Sequence, residues 1–418
     1  MAHQPLIFPM FASAGLMPDL IRLGSFSSGL CFRTSVANGS KLIAGKLFRK
    51  EDMAQLLLPQ YQFQELLIEK FEAAGGRLSM GCKVEGFEER GEGVDVHVSK
   101  LGGGRIETIE AIYLIGADGA HSNIRRLLSL PFSGTTLDTQ LVATDILFDF
   151  PAHGFYDANF IIDPDDYGLI GRIDNYGLWR VSYGVPRNTS EEDIFAGVDQ
   201  KLQKMLPNFG LKDGKKAYEV KRVAPYKAQQ RVAETFWKEG GRVGVVGDAA
   251  HCKQPNLDLL ERRNIKPDYR SLSIPPLLST SAPFCVSPNP CLKARTKLTP
   301  SVTNPYAGLG LASGIADAYS LAEVLIHILS PTLHSPNSSS SPVPSTLLSS
   351  WSKARKNMFL DLVDKPSRAA YRRVKSKVDT EEEIQAFLER DQMMGALKKG
   401  MPLRPPSLVT NGSELEGW

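Results

Sequence analysis

The sequence predicts an α/β protein that combines a strand–turn–helix layer with a separate antiparallel sheet and C-terminal helices. Three observations predict it. Two short apolar runs, Ala111 to Ile115 and Arg242 to Val246, each lead into a glycine-flanked aspartate, the pattern of buried strands that feed tight turns. Between Leu141 and Val185, segments such as Tyr167–Ile173 and Leu178–Gly184 alternate apolar and polar residues around an Asn175-Tyr-Gly turn, which is the period of half-buried strands. Finally, two further helices flank a Ser/Pro-rich connection at Ser330 to Ser350.

The bulk properties narrow the classes of function. A chain of 418 residues is long enough for two ordinary domains, each with its own core. Its 49 basic and 46 acidic residues leave a net charge of +3 without a long run of one sign, so nothing points to nucleic acid or an anionic membrane. Five cysteines at irregular spacing suit neither a disulfide framework nor a zinc site, so no metal is expected and a reducing, cytoplasmic setting is. The N-terminal residues lack a basic segment followed by a clean apolar stretch, and no segment reaches the roughly 18 uninterrupted apolar residues of a membrane span. A soluble protein without a membrane span is the expectation.

Along the chain, Met53, Leu56, Leu57, Phe63, Leu66, Leu67 and Phe71 recur near helical period from Glu51 to Gly75, predicting an amphipathic helix closed by Gly75 and Gly76. Short runs at Arg77 to Cys82, Lys83 to Glu89, Gly93 to Lys100 and Arg105 to Ile109 predict a small antiparallel sheet before the buried strand at Ala111. A helix is predicted from Ser190 to Leu206, ahead of the second buried strand. Residues Lys253 to Val302 hold eight prolines and no glycine, a poor composition for packed structure.

The first chemical motif is Tyr113-Leu-Ile-Gly-Ala-Asp-Gly-Ala-His-Ser-Asn-Ile-Arg-Arg126. Gly116 and Gly119 permit close backbone approach, Asp118 either accepts from hydroxyls or orders the loop, and Ser122 is placed to cap a helix. Taken alone, the segment is equally an ordinary strand–turn–helix. The second motif is Arg242-Val-Gly-Val-Val-Gly-Asp-Ala-Ala-His251, followed later by Asn304-Pro-Tyr-Ala-Gly-Leu-Gly-Leu-Ala-Ser-Gly-Ile-Ala-Asp-Ala318. A carboxylate at a strand end can accept hydrogen bonds from a sugar-alcohol chain, and a helix N-terminus offers N–H groups and a positive dipole end to developing negative charge.

Together these motifs resemble the p-hydroxybenzoate hydroxylase-like flavoprotein monooxygenases of fungal type, from Ala14 to Asp391 and in family order. The resemblance implies an incomplete Rossmann-like FAD-binding domain with an antiparallel-sheet substrate domain. FAD-binding segments are expected at 1–134, 229–252 and 303–400, the last with the C-terminal helices, a substrate domain at 135–228, and a mobile tail at 401–418. Asp118 then lies near FAD and the pyridine nucleotide, Asp248 near the flavin ribityl chain, and Pro305, Gly308, Gly310 and Leu311 at the isoalloxazine edge. Gln60 matches the family's cofactor-contacting glutamine or arginine, with a solvated helix residue as the equal alternative.

Two departures stand beside these matches. The family opens on a strand, a GxGxxG turn and an acidic residue for the adenosine ribose, whereas this chain begins at Met1-Ala-His-Gln-Pro, so about 40 residues of that unit are expected to be missing. The other departure is an intron-like insertion at 253–302. Cys252-Lys253 can be encoded by TGTAAG, Lys297-Leu298-Thr299 can contain a branch site AGCTGAC, and Ser301-Val302 can be encoded by TCAGTN. Excision leaves a TTN codon for Phe or Leu, restoring three residues between His251 and Pro305. A genuine surface insertion is the alternative.

The activity implied by the resemblance is hydroxylation of a small phenolic substrate with O2, FAD, and NADPH or NADH, in a fungal phenol or secondary-metabolite pathway. Arg172, Arg180, Tyr183 and Tyr226 are polar candidates near the substrate, each more ordinarily a structural residue of the sheet. No residue stands out as catalytic base, and His251 is read as packing at the strand–helix junction. The alternative is an inactive product or pseudoenzyme that no longer retains FAD. A dehydrogenase with a complete Rossmann unit is disfavoured, because Gly308-Leu-Gly-Leu-Ala-Ser-Gly does not follow directly on a strand.

Overall fold

Strand Leu114–Gly116 lies parallel to Val243–Val245, with Val243 opposite Leu114 and Val245 opposite Gly116. This register is seen in a computed structural model that describes residues 2–50, 52–100, 103–252, 306–330, 344–401 and 406–418. Val243–Val245 is buried on both faces and Leu114–Gly116 partly so, in keeping with the short continuous apolar runs in which both strands are read. Val243, Val245 and Val246 share a core with Val94 and Val96 of an antiparallel sheet, Leu321 and Val324 of helix Gly310–Leu329, and Trp351 of helix Pro344–Phe359. At Gly116 a Cβ would sit 2.7 Å from the Cβ of Ile124, so only glycine lets helix Asn123–Leu127 close onto the strand.

The larger layer is an eight-stranded sheet in the order His251–Cys252, Glu219–Ala233, Phe132–Leu147, Leu178–Pro186, Gly168–Arg172, Ala158–Ile162, Gly29–Thr34, Leu42–Leu47. All neighbours are antiparallel except Ala158–Ile162 and Gly29–Thr34. Successive side chains point to opposite faces. Accordingly Val142 and Ile146 face a core with Ile194, Val198 and Leu202 of helix Glu191–Met205, while Leu141 and Ala143 face Tyr371 and Val374 of helix Lys365–Val374. The strand after the second glycine–aspartate turn enters this sheet, since Val232 pairs with His251. Thus the two layers meet at that turn.

Several elements differ from the sequence reading. The helix expected from Glu51 runs only over Gln60–Ala73, because Pro59 disfavours helical geometry at the residue before it, and Leu56–Leu57 instead pairs with Ala2–His3 and Ser25–Phe26. Cys82–Arg90 forms one strand where two were read, and residues 77–81 form none. The antiparallel sheet exceeds 135–228: it recruits Gly29–Thr34 and Leu42–Leu47, which join it through the parallel contact with Ala158–Ile162. Within Ser330 to Ser350, residues 344–350 belong to helix Pro344–Phe359.

The segment read as a mobile tail is packed over its last described stretch, because Leu408 and Leu415 are buried in two of the cores. The intron-like insertion and Pro305 lie outside the described residues. Among the described residues, Gly310–Leu329 is the one helix long and apolar enough to cross a membrane, and its Ala312, Ala316, Leu321 and Val324 are buried against other elements.

Candidate functional site

The loop after the first parallel strand is built around Asp118. Its exposed carboxylate accepts through Oδ2 from the N–H groups of Asn123 at 2.6 Å and Ile124 at 3.1 Å, and Ser122 Oγ accepts from Arg125 N–H at 2.9 Å. Together they cap the short helix, a favourable use of negative charge at a helix N-terminus. Of the two roles read for Asp118, the loop-ordering one is therefore filled. The buried Arg125 guanidinium donates to Ala120 O at 2.8 Å and to Ala249 O at 2.7 Å, so this loop is tied to the turn after the second strand.

That second turn, Gly247–Ala249, carries the half-buried Asp248. Gly247 N–H donates to Asp317 Oδ2 at 3.1 Å, and a Cβ on Gly314 would lie 3.2 Å from Gly247 Cα, so the turn rests directly on helix Gly310–Leu329. His251 Nε2–H donates to the same Asp317 oxygen at 2.5 Å, and Arg355 Nε–H donates to Oδ1 at 2.9 Å. All three side chains are inaccessible to solvent, and the His251 ring stacks on Phe359 with centroids 4.2 Å apart. Burial alone would raise the Asp317 carboxyl, but the His251 and Arg355 partners outweigh it and hold the group below the usual carboxylate value. His251 is thus a packed junction residue, as its motif suggests.

The glycine turn before the same helix adopts φ +64° at Gly308, a conformation that L side chains rarely take. A Cβ there would also lie 2.8 Å from Gln4 Nε2, and Gln4 Oε1 accepts from Gln55 Nε2 at 3.1 Å. The helix then opens at Gly310, with a half-buried Leu311 next and no side-chain cap. First-turn N–H groups of an uncapped helix are an anion-receptive edge. Gln60 is half-buried at the first position of its helix, whose Phe63 and Leu66 share a core with Ala312 and Ala316 of the glycine-led helix. Gln4 and Gln55 carried no sequence signal, because the approach of Gln4 to Gly308 and its bond from Gln55 are purely tertiary.

The four polar substrate candidates separate by face. Arg172 is locked in a two-point pair with Asp157 at 2.6 and 2.9 Å, and Arg180 in a similar pair with Asp145 at 2.7 and 3.0 Å. Burial pushes Asp157 up, but Arg172 and the Ser28 N–H hold its carboxyl below the ordinary range. Tyr183 faces the helix Glu191–Met205 core. Tyr226 lies in the cluster that also contains Tyr306, two residues before Gly308, and Arg180, opposite Asp145 in the register, points to the same face of the sheet. Tyr167 and Tyr371 complete this patch; Thr139 Oγ1 is 2.9 Å from Tyr167 OH and 2.7 Å from Tyr371 OH, and Tyr371 donates to Asp138 at 2.6 Å. Burial pushes the Tyr226 and Tyr306 phenols up. They stay neutral hydroxyls.

Flavin adenine dinucleotide can be tested against these residues. At the ring and ribityl end they fit: Asp248 stands on a turn that touches the uncapped, glycine-led helix, and the absence of a Cβ at Gly308 lets the Gln4 side chain approach the turn backbone. No described cluster of His, Cys, Asp and Glu could hold a metal ion.

Comparison with known proteins agrees with this geometry. A family model described as FAD binding domain matches residues 8–257. Para-nitrophenol 4-monooxygenase of Pseudomonas sp. (strain WBC-3) is 29% identical over 275 residues, covering 66% of this chain and 54% of that protein. 6-Hydroxy-3-succinoylpyridine 3-monooxygenase HspB of Pseudomonas putida (strain DSM 28022 / S16) is 29% identical over 334 residues, 78% of this chain and 69% of that protein. The chain therefore spans about half of the first relative and about two thirds of the second. The crystal structure of p-nitrophenol 4-monooxygenase PnpA from Pseudomonas putida DLL-E4 superposes with a TM-score of 0.72 at 24% identity, covering 95% of this chain and 85% of that one. It shares the fold. With more than half of its residues matched and both strand-to-turn motifs in place, the chain belongs to the FAD binding domain family.

Proposed function

We propose that this chain is an FAD-dependent monooxygenase that uses NADPH or NADH and O2 to hydroxylate a small phenolic substrate. The observation that carries the reading is the contact between Gly247 and Gly314, which brings the Asp248 turn onto the glycine-led helix. Asp248 would hold the ribityl hydroxyls, and the N–H groups of Gly310 and Leu311 would receive negative charge at the ring edge. Pro305, Gly308 and Gln60 would border the ring, Asp118 would lie beside FAD and the pyridine nucleotide, and Gln4 joins them as a side chain already at Gly308, held there by Gln55. When bound, the flavin supplies reduction by the nicotinamide and activation of O2. The protein's residues bind, orient and exclude water.

The substrate face is proposed beside Tyr226, Tyr306, Tyr167 and Tyr371, a buried cluster in which Tyr167 packs on the rings of Tyr306 and Tyr371 next to the Gly308 turn. A cytoplasmic enzyme of a fungal phenol or secondary-metabolite pathway, with residues 253–302 translated from a retained intron, completes the proposal. The test is to purify the chain, add FAD, and follow NAD(P)H oxidation with and without a phenol. Stimulation by the phenol with formation of a hydroxylated product supports the reading; flavin binding without any oxygenated product defeats it.

A further inference from the structure

We propose that Arg355, held by the Leu408–Thr410 stretch, is a positioning residue for the flavin-side turn and acts on it through Asp317. The inference rests on the proposed flavin site. Asp317 and Arg355 are fully buried, and taking such ions out of water is costly unless every polar atom is satisfied. Here the partners are specific. Asp317 Oδ1 accepts from Arg355 Nε–H at 2.9 Å, while Oδ2 accepts from His251 at 2.5 Å and from the Gly247 N–H at 3.1 Å.

The far side of the guanidinium faces away from the turn. Arg355 NH1 donates to Leu408 O at 2.8 Å and Thr410 Oγ1 at 2.9 Å, and NH2 lies 3.5 Å from Ser313 O in the opening turns of helix Gly310–Leu329. Leu408 and Thr410 are themselves buried. A continuous line of hydrogen bonds therefore runs from the C-terminal stretch through Arg355 and Asp317 to the amide that begins the Gly247–Asp248 turn. None of its outer members lies among the proposed flavin contacts.

Asp317 also sits seven positions after Gly310, so the same carboxylate joins the helix that presents the uncapped N–H groups to the turn that presents Asp248. Both halves of the flavin site are set by one buried ion, and Arg355 sets that ion's orientation. Removing a hydrogen bond to a buried charge costs enough to change binding about tenfold or more if the turn's geometry is what it maintains.

The experiment compares the full chain with Arg355→Met, Arg355→Lys and Thr410→Val, using Val198→Ala in the distant helix Glu191–Met205 core as a destabilised control. Flavin affinity is read by quenching of FAD fluorescence, stability by thermal unfolding, and the turn itself by amide hydrogen exchange at Gly247 without flavin. The expected result is an FAD Kd raised about tenfold in Arg355→Met, and about threefold in Thr410→Val. Arg355→Lys should restore part of the loss, Gly247 exchange should accelerate, and Val198→Ala should lose stability at unchanged Kd. Unchanged Kd and exchange in a folded Thr410→Val and Arg355→Lys would overturn the proposal while leaving the flavin reading intact. If Arg355→Met does not fold, those two variants decide. Failure of the unmodified chain to bind FAD would overturn both.

Discussion

The Arg125 guanidinium donates to the Ala249 carbonyl at 2.7 Å, joining the loop after one parallel strand to the turn after the other. The same side chain donates to Ala120 O and lies over the Phe132 ring at 3.8 Å, so it braces Asp118 and Asp248 through their neighbours. Arg125→Met should lower the unfolding free energy by about 2–3 kcal/mol, because two carbonyls lose a charged donor. Denaturant titration measures the loss. An effect below about 0.5 kcal/mol would show that the bridge carries no weight.

His3 gives the fold a defined acid sensitivity. Its ring is buried between Phe11 and Phe63, and burial lowers its pKa from 6.5 to about 4. The folded state therefore resists protonation that the unfolded state accepts. Stability contributed by neutral His3 is complete above pH 6.5 and is lost as pH falls toward 4, amounting to about 2 kcal/mol between pH 7 and 5. His3→Phe should flatten that part of the curve, as urea unfolding at several pH values would record.

Tyr226 and Tyr183 test which face of the large sheet receives substrate. Tyr226→Phe should raise the KM for a phenol about fivefold, the value of one hydrogen bond, without changing FAD affinity. Tyr183→Phe, on the opposite face, should leave KM unchanged. Steady-state kinetics of the two variants side by side discriminate the faces.

The mature transcript should lack the bases encoding residues 253–302. Its expected product reads Gly-Asp-Ala-Ala-His-(Phe or Leu)-Thr-Asn-Pro across the junction. Sequencing complementary DNA checks it, and a message that retains the segment contradicts it.

Elements whose information is local were legible in the sequence. Ser190 caps helix Glu191–Met205 just where its Ile194, Val198, Leu202 spacing begins, and alternation marked Gly168–Arg172 and Leu178–Pro186. The two glycine–aspartate turns were legible for the same reason: each follows a short apolar run that ends in a strand of the parallel pair. Long-range pairings were not. Leu56–Leu57 fits helical spacing until Ala2–His3 supplies a partner, and Gln4 meets Gly308 across 304 positions. Arg355 is an ordinary helix arginine in sequence and becomes a buried ion only when Asp317, Leu408 and Thr410 converge on it.

The most direct measurement is retention of flavin by the purified chain. After incubation with FAD and removal of free cofactor by gel filtration, the protein should carry a visible flavin spectrum, and Asp248→Ala should lose most of it. A protein fraction without flavin absorbance, or an Asp248→Ala variant that retains as much as the unmodified chain, would contradict the account.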